Sequence, residues 1–344
     1  VTLAVAVALV LVAALTLYAL FGGADFGGGV WDLTAAGPRG KAYRDLIAHA
    51  IGPIWEANHV WLVLALVLLF VAFPAAFAQL AITLHIPLSL MLVGVVLRGS
   101  AFTFRTYDSE HDAVQRRWGF LFAVASTITP LLLGLCAGAV ASGAVGRAAS
   151  GDFHARYVAP WLAPFPAAVA LFTLALFAFL AAVYLCVAAS AHRDLQEGMR
   201  RRALAAAVVS GAVAWGTLAM ARSHATALFD RLMSDPGAIA IQGATAVTAI
   251  TAIAALWTRR YRVARVAAAA QVALILAGWA YAQFPYIIPG ALTIEQAAAP
   301  AITLKLLLGG LAAGAVILVP SLVYLYRVFA KDGGSSFVRV DAAQ

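Results

Sequence analysis

Charge is scarce in this chain: charged residues fill 11% of its 344 positions, where a soluble domain carries roughly 25%. Cysteine is nearly absent, and the two present, Cys136 and Cys186, both fall inside apolar runs. At that spacing they make no metal-binding motif and do not read as a disulfide pair; they read as small hydrophobic filler. Soluble-enzyme signatures are missing as well. No phosphate-cradling glycine loop leads into a helix with Lys, no His-Glu-x-x-His pair occurs, and there is no nucleophile elbow. Any chemistry must therefore run on a cofactor or on a partner subunit. Long polar segments are lacking too, so no loop can fold as a separate domain.

Apolar residues dominate instead, at 64% of the chain, with a mean hydropathy of +0.92. A helix crossing the hydrocarbon core needs about 20 mostly apolar residues. Nine stretches qualify: 3–22, 57–78, 80–98, 118–141, 161–188, 203–221, 238–257, 263–284 and 303–327. The first has no basic n-region and no small-residue cleavage site, so it reads as a retained helix. The expectation is an all-α integral membrane protein, with one polytopic domain over 1–330 and a polar tail over 331–344.

The formal charge of +8 does not indicate a nucleic-acid partner, because the basic residues are scattered among short loops. They sort by side. Eighteen Lys and Arg fall on one side, from Arg39, Lys41 and Arg44 through Arg98, Arg105, Arg193, Arg200 and Arg259 to Arg339. Four, namely Arg147, Arg156, Arg222 and Arg231, fall on the other. Positive charge marks the cytoplasmic side. That places the N-terminus in the periplasm and the C-terminus in the cytoplasm of a multi-pass bacterial inner-membrane protein. Phe73-Pro74 and 284–290 read as tight turns on the outer side, and the tail from Lys331 as a frayed terminus.

Ionisable residues at membrane depth are costly and mark candidate sites. Asp25 follows some 20 apolar residues within a cluster of five glycines, Gly22, Gly23, Gly27, Gly28 and Gly29. Glycine there lets the backbone leave the helix or approach a neighbouring helix closely. Asp25 is then either an interfacial acid beside a turn or a buried acid on a proton route. The second stretch, Pro53-Ile54-Trp55-Glu56-Ala57-Asn58-His59-Val60-Trp61, carries Glu56, Asn58, His59 and two tryptophans into the membrane together. Glu56 and His59, at i and i+3, share a helix face and can share a proton; helix capping with an interfacial tryptophan belt is the alternative. His85, placed mid-helix near Pro87, reads as a core residue. Haem ligation through His85 or His59 with Met91 lacks any supporting ligand pattern.

These stretches resemble the two signature segments of subunit II of bd-type quinol oxidases. Further likeness lies in Arg98-Gly99-Ser100-Ala101-Phe102-Thr103-Phe104-Arg105 and in Phe284-Pro285-Tyr286-Ile287-Ile288-Pro289. The resemblance is specific to about residue 110 and at the 284–289 turn, and looser elsewhere. It implies two four-helix bundles plus one peripheral helix. It also implies a chain without catalytic residues or metal ligands of its own, carrying none of the catalytic haems. Haem b and haem d would sit in subunit I, which oxidises quinol and reduces oxygen. On this chain the resemblance suggests a proton path through Glu56 and Asp25, with Asn58 and His59 tuning it. Trp61, with Trp55, would line an oxygen path or pack helices. Membrane lipid, quinone and a small single-helix subunit are further partners it allows. The chain departs from the family pattern at Gly22, His59, Gly99 and Thr103, which leaves room for a divergent paralogue. A secondary transporter, using broken helices near Gly22–Gly29, and a purely structural subunit are the other readings.

Overall fold

The computed structural model describes residues 2–51, 55–107, 112–148 and 152–332. Among these, eight helices are long and apolar enough to cross a membrane, or nine if α2 and α3 are taken as one span bent by 55°. The chain is an all-α integral membrane protein.

The first group of helices comprises α1 (Leu3–Leu33), α2 (Gly40–Ile51), α3 (Trp55–Ala72), α4 (Pro74–Thr83), α5 (His85–Tyr107) and α6 (Asp112–Ala141). Two short helices, α7 (Ala144–Arg147) and α8 (Phe153–Tyr157), lead to the second group. That group holds α9 (Pro164–Ala188), α10 (Arg193–His224), α11 (Thr226–Ser234), α12 (Pro236–Trp257) and α13 (Tyr261–Gln283). A hairpin of β1 (Tyr286–Ile288) and β2 (Leu292–Thr293), then α14 (Ile294–Ala297), joins it to α15 (Ala301–Asp332).

Long spans α1, α3, α5 and α6 pack as one set of four, and α9, α10, α12 and α13 as another. The sets meet where α9 lies against α1 and α6. Accordingly α9 is the most enclosed span, with 61% of its apolar window buried, whereas none of that of α15 is. The main contacts of α15 are with the edge of the first set, at α1 and α3.

Several expectations are corrected. The first helix does not end at Gly22; it runs on to Leu33. The glycines there serve close approach instead of a break. A Cβ on Gly27 would strike the Phe177 carbonyl of α9, and one on Gly29 would strike the Ser126 side chain of α6. Interfaces of this kind let two backbones come together in a medium where hydrophobic association is weak. The second and third spans are not joined by a tight Phe73-Pro74 turn. Phe73 caps the ten-residue α4, with Pro74 in its first turn where a missing N–H costs nothing. His85 is consequently the first residue of α5 and exposed, its ring against Tyr157 at 5.1 Å, and not a mid-helix core residue. The 284–290 segment is not a simple turn: it holds a cis Phe284-Pro285 bond and the first strand of a β-hairpin that closes at Leu292–Thr293. Lys331 still belongs to α15. The Gly52-Pro53-Ile54 segment and the tail beyond Asp332 lie outside the described residues.

Candidate functional site

The buried polar side chains of the first helix set converge. Asp25 of α1 and Asn58 of α3 are 4% and 1% exposed, and Asn58 Nδ2 donates to Asp25 Oδ2 at 2.5 Å. Beside them lies Arg98 of α5, 1% exposed. Its Nε donates to Ser126 Oγ at 3.1 Å and its Nη1 to His59 Nε2 at 3.2 Å. The guanidinium is sandwiched between Phe26 and Phe122, 4.9 and 5.4 Å from their ring centroids. Aromatic faces attract a cation most strongly where water is excluded. Tyr18 closes the cluster, edge-on to Phe26 and tilted against His59.

Each position follows from local sequence. On α3, Asn58 points inward while Glu56, two residues earlier and so nearly opposite on the helix, is exposed. His59 lies between, half-buried. The shared face expected for Glu56 and His59 is thus split at its edge: three residues leave 60° between side chains, enough to turn one outward. Of the expected proton-path residues, Asp25, Asn58 and His59 are brought together, and Glu56 sits at the surface a turn before them. Trp61 is half-buried against the core, and its Nε1 meets no acceptor among the described residues. The side chain of Trp55 lies outside the described residues.

Arg98 is the residue that sequence reasoning misplaced. As the last residue of an apolar run it reads as part of a cytoplasmic loop, yet α5 continues for nine residues beyond it. The available signal was the following segment, Gly99 to Phe104, which holds no charge before Arg105. Arg98 has no place in the count of loop charges. It is the buried countercharge nearest Asp25, and the two interact electrostatically. Its Nη2 has no hydrogen-bond partner among the described residues.

A second missed cluster lies toward the basic end. Asp32, the last acid of α1 and 3% exposed, accepts from Arg105 Nη1 at 2.6 Å. Arg44 of α2 approaches its other oxygen at 3.7 Å and donates to the Ala35 carbonyl. Glu197 gathers Arg200, Arg201 and Arg259 at the same end. Each of these clusters stays within one helix set, and Arg39 reaches from the first set to Asp194 of α10 at 3.1 Å.

Among the described residues no group of three or more His, Cys, Asp or Glu is placed to hold a metal ion. His59 Nε2 already accepts from Arg98, so an iron there would have to displace that bond.

A multi-pass all-α membrane protein with a buried Asp–Asn–Arg cluster, edged by a half-buried His, between its helices is the class that fold and site define. The chain belongs to the cytochrome bd terminal oxidase subunit II family, whose sequence profile matches residues 3–329. It is similar to a Bacillus subtilis protein named as a cytochrome bd menaquinol oxidase subunit II, with 24% identity over 92% of each chain. An Escherichia coli cytochrome bd-I ubiquinol oxidase subunit 2 is 28% identical over 126 residues, 37% of this chain and 32% of that one. The fold matches a chain of the bd oxidase structure from Geobacillus thermodenitrificans, with a TM-score of 0.79 and 23% identity over 96% of this chain and 99% of that one. The protein is therefore subunit II of a bd-type quinol oxidase in the bacterial inner membrane, and subunit I of that oxidoreductase complex is its partner.

Proposed function

We propose that this chain is the haem-free half of the oxidase, which braces the haem-bearing subunit and holds a proton site on the way to it. The carrying observation is the Asp25–Asn58 hydrogen bond of 2.5 Å inside the closed helix set, beside Arg98 and His59. A carboxylate this deep persists because an amide donor and a cation stand beside it. It can hold a proton and release it without water at its side.

In this reading the N-terminus faces the periplasm and the basic surface around Arg44, Arg105 and Arg200 faces the cytoplasm, as the charge asymmetry favours. Glu56, exposed at the first turn of α3, receives protons at that side. His59, one turn deeper, and Asn58 relay between Glu56 and Asp25. Quinol oxidation and oxygen reduction take place on haem b and haem d of the partner. Trp61 and Trp55 contribute packing on α3 or line a path for oxygen. A small single-helix subunit, lipid and quinone complete the assembly.

The test is turnover by the purified complex carrying Glu56→Gln or Asp25→Asn. Slowed oxygen consumption with unchanged haem content supports the proton role. Unchanged turnover in both variants contradicts it and leaves bracing as the function. The transporter reading loses its footing, since α1 is unbroken through Gly22–Gly29.

A further inference from the structure

A cavity of about 400 Å3 opens between the end of α6, the α10–α11 corner and the β-hairpin. It lies a full membrane span from the basic surface: α13 begins near Arg259, which pairs with Glu197, and ends at Gln283 in the cavity wall. Two guanidinium groups line it, Arg147 of α7 and Arg231 of α11, and no carboxylate does among the described residues. Asp235, the acid that interacts with Arg231, is engaged by the Tyr281 hydroxyl at 3.0 Å and by the backbone N–H of Gly237 at 2.8 Å. Arg231 is itself oriented by donating to the Phe284 carbonyl.

The third cationic element is backbone. Ala225 at the N-cap of α11 offers no side chain to the first turn, and Thr226, Ala227 and Leu228 of that turn line the cavity. First-turn N–H groups have no partner within their helix, and the helix dipole adds roughly half a positive charge there. A cavity lined by two arginines and by the uncapped start of α11 has the chemistry of a receptor for a tetrahedral oxyanion. Two of the only four Lys and Arg that the sequence places on this side are thus committed to one cavity. Phe284, whose carbonyl Arg231 engages, is 45% exposed and offers an apolar side chain beside that arginine.

We propose that this cavity binds a phosphate-bearing anion, the phosphodiester headgroup of an anionic phospholipid, between Arg147 and Arg231 over the first turn of α11. The headgroup fixes the β-hairpin to the α10–α11 corner and seals the second helix set on the side away from the basic loops. The volume suits a glycerophosphate group, since small-molecule sites begin at about 300 Å3.

The test uses the intact oxidase complex, stripped of lipid in detergent. Its reading is bound lipid, so it stands apart from the proton role and from turnover. Phosphatidylglycerol and phosphatidylcholine are titrated separately and binding is followed by native mass spectrometry; inorganic phosphate is titrated against thermal unfolding at constant ionic strength. The expected result is selective retention of phosphatidylglycerol. Arg147→Gln, a change at an exposed side chain, should weaken it about tenfold or more, the loss that goes with one charge-assisted hydrogen bond. Arg147→Glu should abolish it. Stabilisation by inorganic phosphate that Arg147→Gln removes, without lipid selectivity, assigns the same site to free phosphate. Equal responses of wild type and Arg147→Gln to both ligands overturn the site.

Discussion

Arg98 Nη1 donates to Nε2 of His59 at 3.2 Å, across α3 and α5 in the middle of the first helix set. Arginine has donors and no acceptors, so Nε2 must accept and the ring proton belongs on Nδ1. The imidazole is thereby held as one neutral tautomer beside Asp25 and Asn58. A histidine fixed this way can pass a proton only if the guanidinium lets go or the ring turns. Control of the cluster accordingly rests on Arg98, a residue that the charge pattern of the sequence assigns to a loop.

Arg98→Ala should destabilise the subunit by about 3–5 kcal/mol, the size for stripping one member of a buried charge pair and leaving the other. Arg98→Lys keeps the charge but not the fork that reaches Ser126 and His59 together, so it should recover part of the loss. Thermal unfolding of the purified complex, followed with the haem spectrum, measures both. Equal stability of wild type and Arg98→Ala contradicts the packing described.

Asn58→Ala removes the donor to a buried carboxylate, and hydrogen bonds to charged groups are worth about 1.5–3 kcal/mol. The loss should be largely suppressed in an Asp25→Asn background, because the two changes act on one bond. Additive losses in the double variant would place the two residues in separate networks.

Gly27→Ala should cost about 1–3 kcal/mol, the penalty of overpacking, because its methyl group meets the Phe177 carbonyl. Gly314→Ala on α15, where nothing lies within 4 Å, is the control and should be neutral or slightly stabilising. Expression and detergent half-life of the two variants compare them directly. If they behave alike, the α1–α9 approach is looser than described.

Arg105→Ala leaves Asp32 buried with only the longer contact to Arg44, and should destabilise the basic end by about 3 kcal/mol. Asp32→Asn together with Arg105→Ala should be milder than Arg105→Ala alone, since no charge is then left uncompensated. Hydrogen exchange at 99–107 would show the local opening.

The membrane architecture is legible in the sequence because apolar length decides it: most expected runs fall on a single helix, while 57–78 and 80–98 are divided where α4 intervenes. Boundaries failed where two signals conflict. Gly22 to Gly29 reads as a breaker by propensity, yet Gly23 and Gly27, four residues apart, face Phe177 across a tight interface. Tertiary contact overrides propensity there. Asp25, Asn58 and His59 were found because acids and amides at membrane depth are costly. Glu56 was grouped with them by spacing alone, and spacing does not say which edge of a face the core covers. Arg98 and Asp32 were missed for a shared reason. Each lies at or beyond the expected end of an apolar run, Arg98 at the last residue of 80–98 and Asp32 ten residues past Gly22, and each is enclosed because its helix continues, α5 to Tyr107 and α1 to Leu33.

Whether this chain serves a haem-bearing partner is decided by what comes out of the membrane with it. The chain is tagged, drawn from native membranes in mild detergent, and the eluate is examined by reduced-minus-oxidised absorption spectroscopy. The expected result is a second large membrane subunit with haem b and haem d bands, and loss of both bands when this chain is stripped from the complex. A colourless eluate of this chain alone would contradict the account.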